Sequence, residues 1–142
     1  MSLTHAEQAF LTRQPRGYLA TTSPDGAPQV KPLGFIYNSA LGTIDISGFN
    51  MGASAKYRNI QASPRVAFVV DEVTEQTMDG AHFLEVRGIA EAVTGPETAG
   101  THLAREIIRI HPRRVIAYNV DPDQPGLQTR QVVLDGPGPG PA

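Results

Sequence analysis

The sequence predicts a mainly β protein, a six-stranded antiparallel barrel that is closed or nearly closed and carries a few inserted helices. Three observations predict it. Turn-forming clusters recur at short intervals, Ser23-Pro24-Asp25-Gly26 and Asn38-Ser39-Ala40-Leu41-Gly42 among them, and these residues supply the backbone angles that hairpins need. Between them lie short runs that alternate apolar and polar residues, the period of a half-buried strand. Helical signals are few and scattered between these runs, so the helices insert into a barrel rather than alternate with parallel strands.

Thr4 and Glu7 have capping-box spacing, so a helix begins near His5, buries Ala6, Ala9 and Phe10, and ends before Pro15. Gly17 opens a first strand through Thr21, and Gln29 to Tyr37 is a second. Thr43 to Ser47 is a third, with Ile44 and Ile46 on one face. Gly48 to Gly52 breaks the pattern. A short helix over 53–62 follows and is closed by Pro64. Arg65 to Asp71 reads as a buried strand. His82 to Val93 is a long one, with Leu84, Val86, Ala90 and Ala92 opposite Glu85, Arg87 and Glu91. Thr94, Pro96 and Glu97 signal another helix, with Leu103, Ile107 and Ile110 as its apolar stripe and His111-Pro112 as its stop. Arg114 to Val120 is the sixth strand. A barrel domain over 1–120 is therefore expected, with 121–142 a poorly ordered tail in which 131–134 could pair and Gly136 to Ala142 is Pro/Gly-rich. There is no internal repeat.

A chain of 142 residues suits one domain. Apolar content of 40% and charge of 18% are both slightly low, diluted by 14 Gly and 12 Pro. With no cysteine, disulfides, thiolate metal sites and a cysteine nucleophile are all excluded. A formal charge of −2 gives no global attraction to nucleic acid or anionic membrane, so any positive field must be local. No apolar run reaches membrane-span length, and Met1 to Gln14 lacks the basic-then-apolar order of a secretion signal. A cytoplasmic location is expected.

Common catalytic signatures are missing. The four histidines share no metal-ligand spacing, and no serine lies in a GxSxG elbow. Asp71 and Glu72, adjacent at a strand end, point apart. The segment from Gly48 to Lys56 resembles a P-loop only faintly, because its lysine does not directly follow the second glycine. That segment is still the most informative in the chain. Ser47, Ser54, Lys56 and Arg58 place hydroxyls, backbone amides and two cations near a helix start, a set suited to a phosphate monoester. A solvated helix face fits the same residues, and composition alone does not separate the two readings.

The stretch Ser47-x6-Ser54-x-Lys56-x-Arg58-Asn59-Ile60-x3-Pro64-Arg65-Val66-Ala67 resembles the pyridoxamine phosphate oxidase-like split-barrel superfamily. Gly17-Tyr18-Leu19-Ala20-Thr21, Asp25-Gly26-x-Pro28, Lys31-Pro32-Leu33-Gly34-Phe35 and Glu85-Val86-Arg87-Gly88-x-Ala90-Glu91 agree in order. The resemblance spans about Phe10 to Asn119 and is closest to the actinobacterial flavin/deazaflavin oxidoreductases, whose usual cofactor is the deazaflavin F420 rather than FMN. It implies an FMN-binding split barrel in which Lys56 holds the cofactor phosphate, with Ser47 and Ser54 as its hydroxyl positions and Arg58 nearby. Lys31, Pro32 and Leu33 would run along the pyrimidine end of the ring. The chain departs from close relatives in carrying no second basic residue at Ser54 or Ala55, which weakens the anion site.

For each residue a structural reading stands beside the functional one. Lys31 could discourage edge pairing, Arg58 could pair with a carboxylate on its own helix, and Arg87 reads as structural. Arg13, Arg16, Arg113 and Arg114 could meet the cofactor's polyglutamate tail or simply be solvated. The implied reaction is hydride transfer from reduced deazaflavin to an unsaturated organic acceptor. The cofactor carries that chemistry, so no acid–base triad is needed. Backbone amides along Lys31 to Leu33 could stabilise charge on the ring. No catalytic side chain stands out; Tyr57 and Tyr37 are the candidate proton donors. FMN-dependent chemistry on the same fold, or non-catalytic binding of a deazaflavin, flavin or haem, remain alternatives. A small barrel fills with its own side chains, so a tricyclic ring lies outside it, where a second subunit would cover it. A homodimer is expected, with Phe35, Tyr37 and the Val66 to Val70 strand as contacts.

Overall fold

The structure, a computed structural model, describes residues 3–94 and 105–132. Helix α1 (His5–Thr12) is followed by strands β1 (Gly17–Thr22), β2 (Pro28–Leu33), β3 (Ile36–Asn38) and β4 (Thr43–Ile46). Helix α2 (Ala55–Ala62) precedes β5 (Arg65–Val73), β6 (Ala81–Thr94), β7 (Glu106–Tyr118) and β8 (Leu127–Gln131). All pairs are antiparallel, in the order β2-β1-β5-β6-β7-β4-β3, with β8 added to β7.

That order dictates a barrel. β2 and β3 stand at opposite ends of the path yet are joined only by Gly34 and Phe35. Seven flat strands would put the two edges about 29 Å apart, whereas the three Cα steps from Leu33 to Ile36 reach about 11 Å. The sheet must curl until its ends nearly meet, and the gap between β2 and β3 is the split.

The interior is filled by the alternating inward residues, including Leu19, Ile46, Phe68, Leu84, Val86 and Ile110, each at most 1% exposed. Each such side chain contributes roughly 1.5–3 kcal/mol by leaving water. Gly17 is glycine because a Cβ there would sit 2.2 Å from the Phe68 ring. The capping box forms as the spacing predicts: Glu7 N donates to Thr4 Oγ1 at 3.1 Å and Thr4 N donates to Glu7 Oε1 at 2.9 Å. α1 packs Phe10 and Leu11 into the core, and Glu7 is ion-paired to Arg130 of β8.

Several expectations are corrected. The described residues form eight strands rather than six. The run from Gln29 to Tyr37 divides into β2 and β3, and β8 is an added strand at Leu127–Gln131; of the pairing expected at 131–134, 133 and 134 lie outside the described residues. β8 carries the sheet past residue 120; 133–142 lie outside the described residues. The stretch 106–111, expected to end a helix, is the start of β7 instead. Ile107 and Ile110 suit a helical period, but Ile108 and Ile110 alternate, and both are fully buried. Thr94 ends β6, while Pro96, Glu97 and Leu103 lie outside the described residues. Phe35 and Tyr37 pack against the core, Phe35 edge-on to Phe68 with ring centroids 5.0 Å apart. Val66, Phe68 and Val70 point inward by the pleat, so they are not outer-face contacts.

Candidate functional site

The segment between β4 and α2 builds the site. Ile46 anchors the end of β4, and Ser47 follows it half-buried. Asn50 adopts a left-handed φ of 59°, a conformation asparagine tolerates, and turns the chain into a single 3₁₀ turn at Met51–Ala53. Met51 is buried and pins this turn to the core, while Phe49 beside it is 81% exposed. Glu106 at the start of β7 lies against the same turn: a Cβ on Gly52 would fall 2.9 Å from its carboxylate.

Ser54 is the N-cap of α2. Its Oγ accepts from Tyr57 N at 3.2 Å and donates to the Met51 carbonyl at 2.7 Å. Its hydroxyl hydrogen is therefore committed within the chain, and its role is to fix the helix start. The cap leaves the amides of Ala55 and Lys56 in the first turn without intrahelical acceptors. Lys56 is half-buried and makes no hydrogen bond or ion pair among the described residues. Arg58 is exposed and donates from Nη1 to the Ala53 carbonyl at 3.2 Å. It does not pair with a carboxylate on its own helix, since α2 reads AKYRNIQA and contains none.

β2 meets this helix through Asn59, a residue the sequence reading quoted without assigning a role. Buried Asn59 donates from Nδ2 to Thr21 Oγ1 at 3.0 Å and to Gln29 Oε1 at 2.8 Å, tying α2 to the β1–β2 hairpin. Gln29, Lys31 and Leu33 share one strand face, so Lys31 lies on the face that α2 approaches. Lys31 and Pro32 are exposed and Leu33 packs partly on the core; among the described residues, β2 pairs with β1 alone. Thus Ser54, Lys56 and Arg58 share the start of one helix, Ser47 opens the loop into it, and the Lys31 to Leu33 strand is coupled to it by Asn59. Of the candidate proton donors, Tyr57 belongs to the core, whereas Tyr37 is half-buried on β3.

Behind the loop lies a charge cluster that the sequence reading missed. Asp45 Oδ1 accepts from Thr43 Oγ1 at 2.8 Å and Arg109 Nε at 3.1 Å; Oδ2 accepts from Asn38 Nδ2 and Arg109 Nη2, both at 3.1 Å. Burial pushes the Asp45 carboxyl up. The hydrogen bonds from Arg109, Asn38 and Thr43, together with the Arg109 charge, outweigh it and leave the carboxyl below the usual range. An aspartate flanked by two inward isoleucines was the available signal. Its partner Arg109 lies far along the chain in a segment read as helix. Among the described residues, no cluster of His, Asp or Glu could hold a metal ion, and no helix is long and apolar enough to cross a membrane.

The fold and this loop define a split barrel of the pyridoxamine phosphate oxidase-like class. Residues 3–134 match the pyridoxamine 5'-phosphate oxidase family, and the chain belongs to it. A 5a,11a-dehydrotetracycline/5a,11a-dehydrooxytetracycline reductase of Streptomyces rimosus subsp. rimosus is 36% identical over 140 residues, covering 97% of this chain and 99% of that protein. Among solved structures, an F420 reductase superposes with a TM-score of 0.61 at 27% identity, covering 80% of this chain and 98% of the other. A conserved protein of Mycobacterium tuberculosis superposes with a TM-score of 0.66 at 23% identity, covering 81% and 84% of the two chains, and shares the fold. The protein is accordingly an oxidoreductase of this fold.

Proposed function

We propose that the protein is a deazaflavin (F420)-dependent oxidoreductase that transfers a hydride from the reduced cofactor to an unsaturated small organic acceptor. The observation that carries this reading is the near-full-length similarity to a reductase named for a dehydrotetracycline. The F420 reductase among the structural relatives supports the cofactor. An unsaturated polycycle of the relative's type is the acceptor class proposed, and the cytoplasm is the proposed location.

The residues fit such a cofactor. A half-buried ammonium with no partner among the described residues, next to first-turn amides of α2, would suit a phosphate. Lys56 would neutralise the phosphate, with Arg58 and Ser47 beside it, while Ser54 acts by capping the helix that presents those amides. Lys31 to Leu33 would run along the ring; Pro28 and Pro32 turn their ring nitrogens to the split, so the Lys31 and Leu33 amides face β1 in the ladder, and the Lys31 ammonium is the donor this segment would offer. When bound, the reduced deazaflavin supplies the hydride, and a proton completes addition across the acceptor's double bond. The chain's task is to orient ring and acceptor and to exclude water.

Covering the ring calls for a second copy. β2 is exposed along both faces, and Val30 and Ile36 at the split are 60% and 66% exposed, with Tyr18 at 41%. These residues replace Phe35 and Tyr37 as the proposed homodimer contacts. Light scattering at micromolar concentration should give a dimer, and a monomer that still holds cofactor would refute it.

FMN is the second reading, favoured by the family to which the chain belongs. Native mass spectrometry of protein purified from a deazaflavin-producing host separates the two, followed by parallel titrations with F420 and FMN at low and moderate salt. F420 should bind more tightly, with an advantage that shrinks as salt screens its additional charges. Tighter FMN binding at both salts, or its stoichiometric copurification, overturns the deazaflavin reading. Tight F420 binding without turnover across a broad acceptor panel would point instead to a carrier.

A further inference from the structure

On the outer face of the barrel, away from the α2 loop, the strand register lines up Ala20, Ala67, Arg87 and Arg114 across β1, β5, β6 and β7. The two alanines leave a trough and the arginines wall it, making a cleft of about 500 Å³. Arg65 and Arg113 line it as well. Four of the chain's 12 Lys and Arg residues thus border one cleft in a protein of net charge −2, and no carboxylate lines it among the described residues.

A fold left to itself avoids this arrangement, because like charges directly opposite on neighbouring strands repel. Arg87 is relieved by Glu85, whose Oε2 accepts from its Nε at 2.8 Å. Arg114 reaches Gln131 of β8, whose side-chain oxygen accepts from Nη1 at 3.2 Å in the amide orientation that satisfies both its partners.

The backbone is shaped for the same end. Between Arg87 and Gly88 the register shifts: Arg87 faces Arg114 but Gly88 faces Pro112, so Arg113 is an extra residue bulged out of β7. Such a bulge turns two consecutive side chains towards one surface, here Arg113 and Arg114. Gly88 permits it, since a Cβ there would lie 2.3 Å from the His111 carbonyl oxygen. β8 holds it, with Val132 N donating to the Arg113 carbonyl at 2.8 Å.

We infer that this trough is a second ligand site, for a small anion carrying two or more clustered phosphate or carboxylate groups. Guanidinium forks suit such groups because they donate paired, charge-assisted hydrogen bonds to planar or tetrahedral oxyanions. The site shares no residue with the α2 loop, so its test is separable from that of the cofactor phosphate.

Calorimetric titration of the full chain at low ionic strength, with inorganic pyrophosphate and separately with citrate, tests it. Saturable binding of at least one is expected; whichever binds more tightly identifies phosphate or carboxylate as the preferred group. The Arg87→Gln, Arg114→Gln double variant should lose about tenfold or more in affinity, whereas Lys56→Ala should bind as wild type does. Thermal melting of the double variant without anion should show little change, because the repulsion removed offsets the exposed contacts to Glu85 and Gln131 that are lost with it. In wild type, NMR of the arginine Nε–H groups should show anion-dependent shifts at Arg65, Arg87, Arg113 and Arg114, a readout that needs no variant to fold. Absence of saturable binding by both anions, or binding lost in Lys56→Ala and kept in the double variant, overturns the proposal.

Discussion

Two charged groups flank the loop from β4 to α2, and they are used in opposite ways. Asp45, on β4 just before the loop in sequence, is buried and has both oxygens filled by Thr43, Asn38 and Arg109. Lys56, just beyond it, is half-buried and bonded to nothing among the described residues. A buried charge with its partners in place holds a fold together, whereas a desolvated charge without one favours whatever anion arrives. The difference separates a strut from a binding group, although both are charged residues at the ends of regular elements.

The largest expected effect tests the strut. Asp45→Ala removes the acceptor shared by Thr43, Asn38 and Arg109, so it should destabilise the fold by about 3 kcal/mol in a denaturant titration. The pH dependence has a definite sign. The folded-state carboxyl is held low, so its contribution is complete above the unfolded value near 4, and it is lost as pH falls through the folded value. Wild-type stability should be flat from this source above about pH 5 and decline below about pH 4. Asp45→Asn should lack that acid decline. If its decline matches wild type, the cluster is not the strut described.

The binding group comes next. Lys56→Ala should change the melting temperature little, since no hydrogen bond or ion pair among the described residues is lost. It should weaken the phosphorylated cofactor by about 1.5–3 kcal/mol, or roughly one to two decades, measured by fluorescence quenching. A drop in stability with unchanged cofactor affinity would reverse the contrast, making Lys56 structural and moving the phosphate elsewhere.

What the sequence revealed depended on how locally each signal was written. The capping box at Thr4 and Glu7 lies within one turn, and both of its hydrogen bonds form. β6 was legible because its alternation is long and uninterrupted. β7 was not, because three isoleucines at 107, 108 and 110 satisfy a helical and a strand period at once, and only pairing with β6 and β4 decides between them. Pro28 and Pro32 carried an unused clue. Two prolines in one strand suit a sheet edge, and β2 is the edge at the split. Within the candidate site, the segment from Ser47 to Arg58 could be found from residue type and spacing. The bonds that decide what each residue does could not. Ser54 spends its hydroxyl on Met51, Asn59 reaches back to Thr21 and Gln29, and Asp45 finds Arg109, each through tertiary contacts.

The smallest effect belongs to a third kind of charge, one that is paired but wet. Glu72 on β5 accepts from Arg13 Nε at 3.1 Å and from Gln14 Nε2 at 3.1 Å. These bonds, Arg13's first, hold its carboxyl below the usual value. The Arg13 side chain is 51% exposed, so water screens the attraction and ordering two long side chains offsets much of what remains. Arg13 also lies over the Phe10 ring, 4.9 Å from its centroid, so replacing the arginine would remove two interactions together. Glu72→Gln isolates the pair: it keeps an acceptor for Gln14 and leaves Arg13 on its ring. The expected loss is below about 0.5 kcal/mol at low salt and vanishes near molar salt, where the screening length falls to about 3 Å. The acid limb contributed by Glu72 should be correspondingly shallow, lying below that of Asp45 in amplitude though of the same sign. A loss above about 1 kcal/mol that persists in high salt would place Glu72 with Asp45. Burial of the pair would then not be what separates a structural charge from an incidental one.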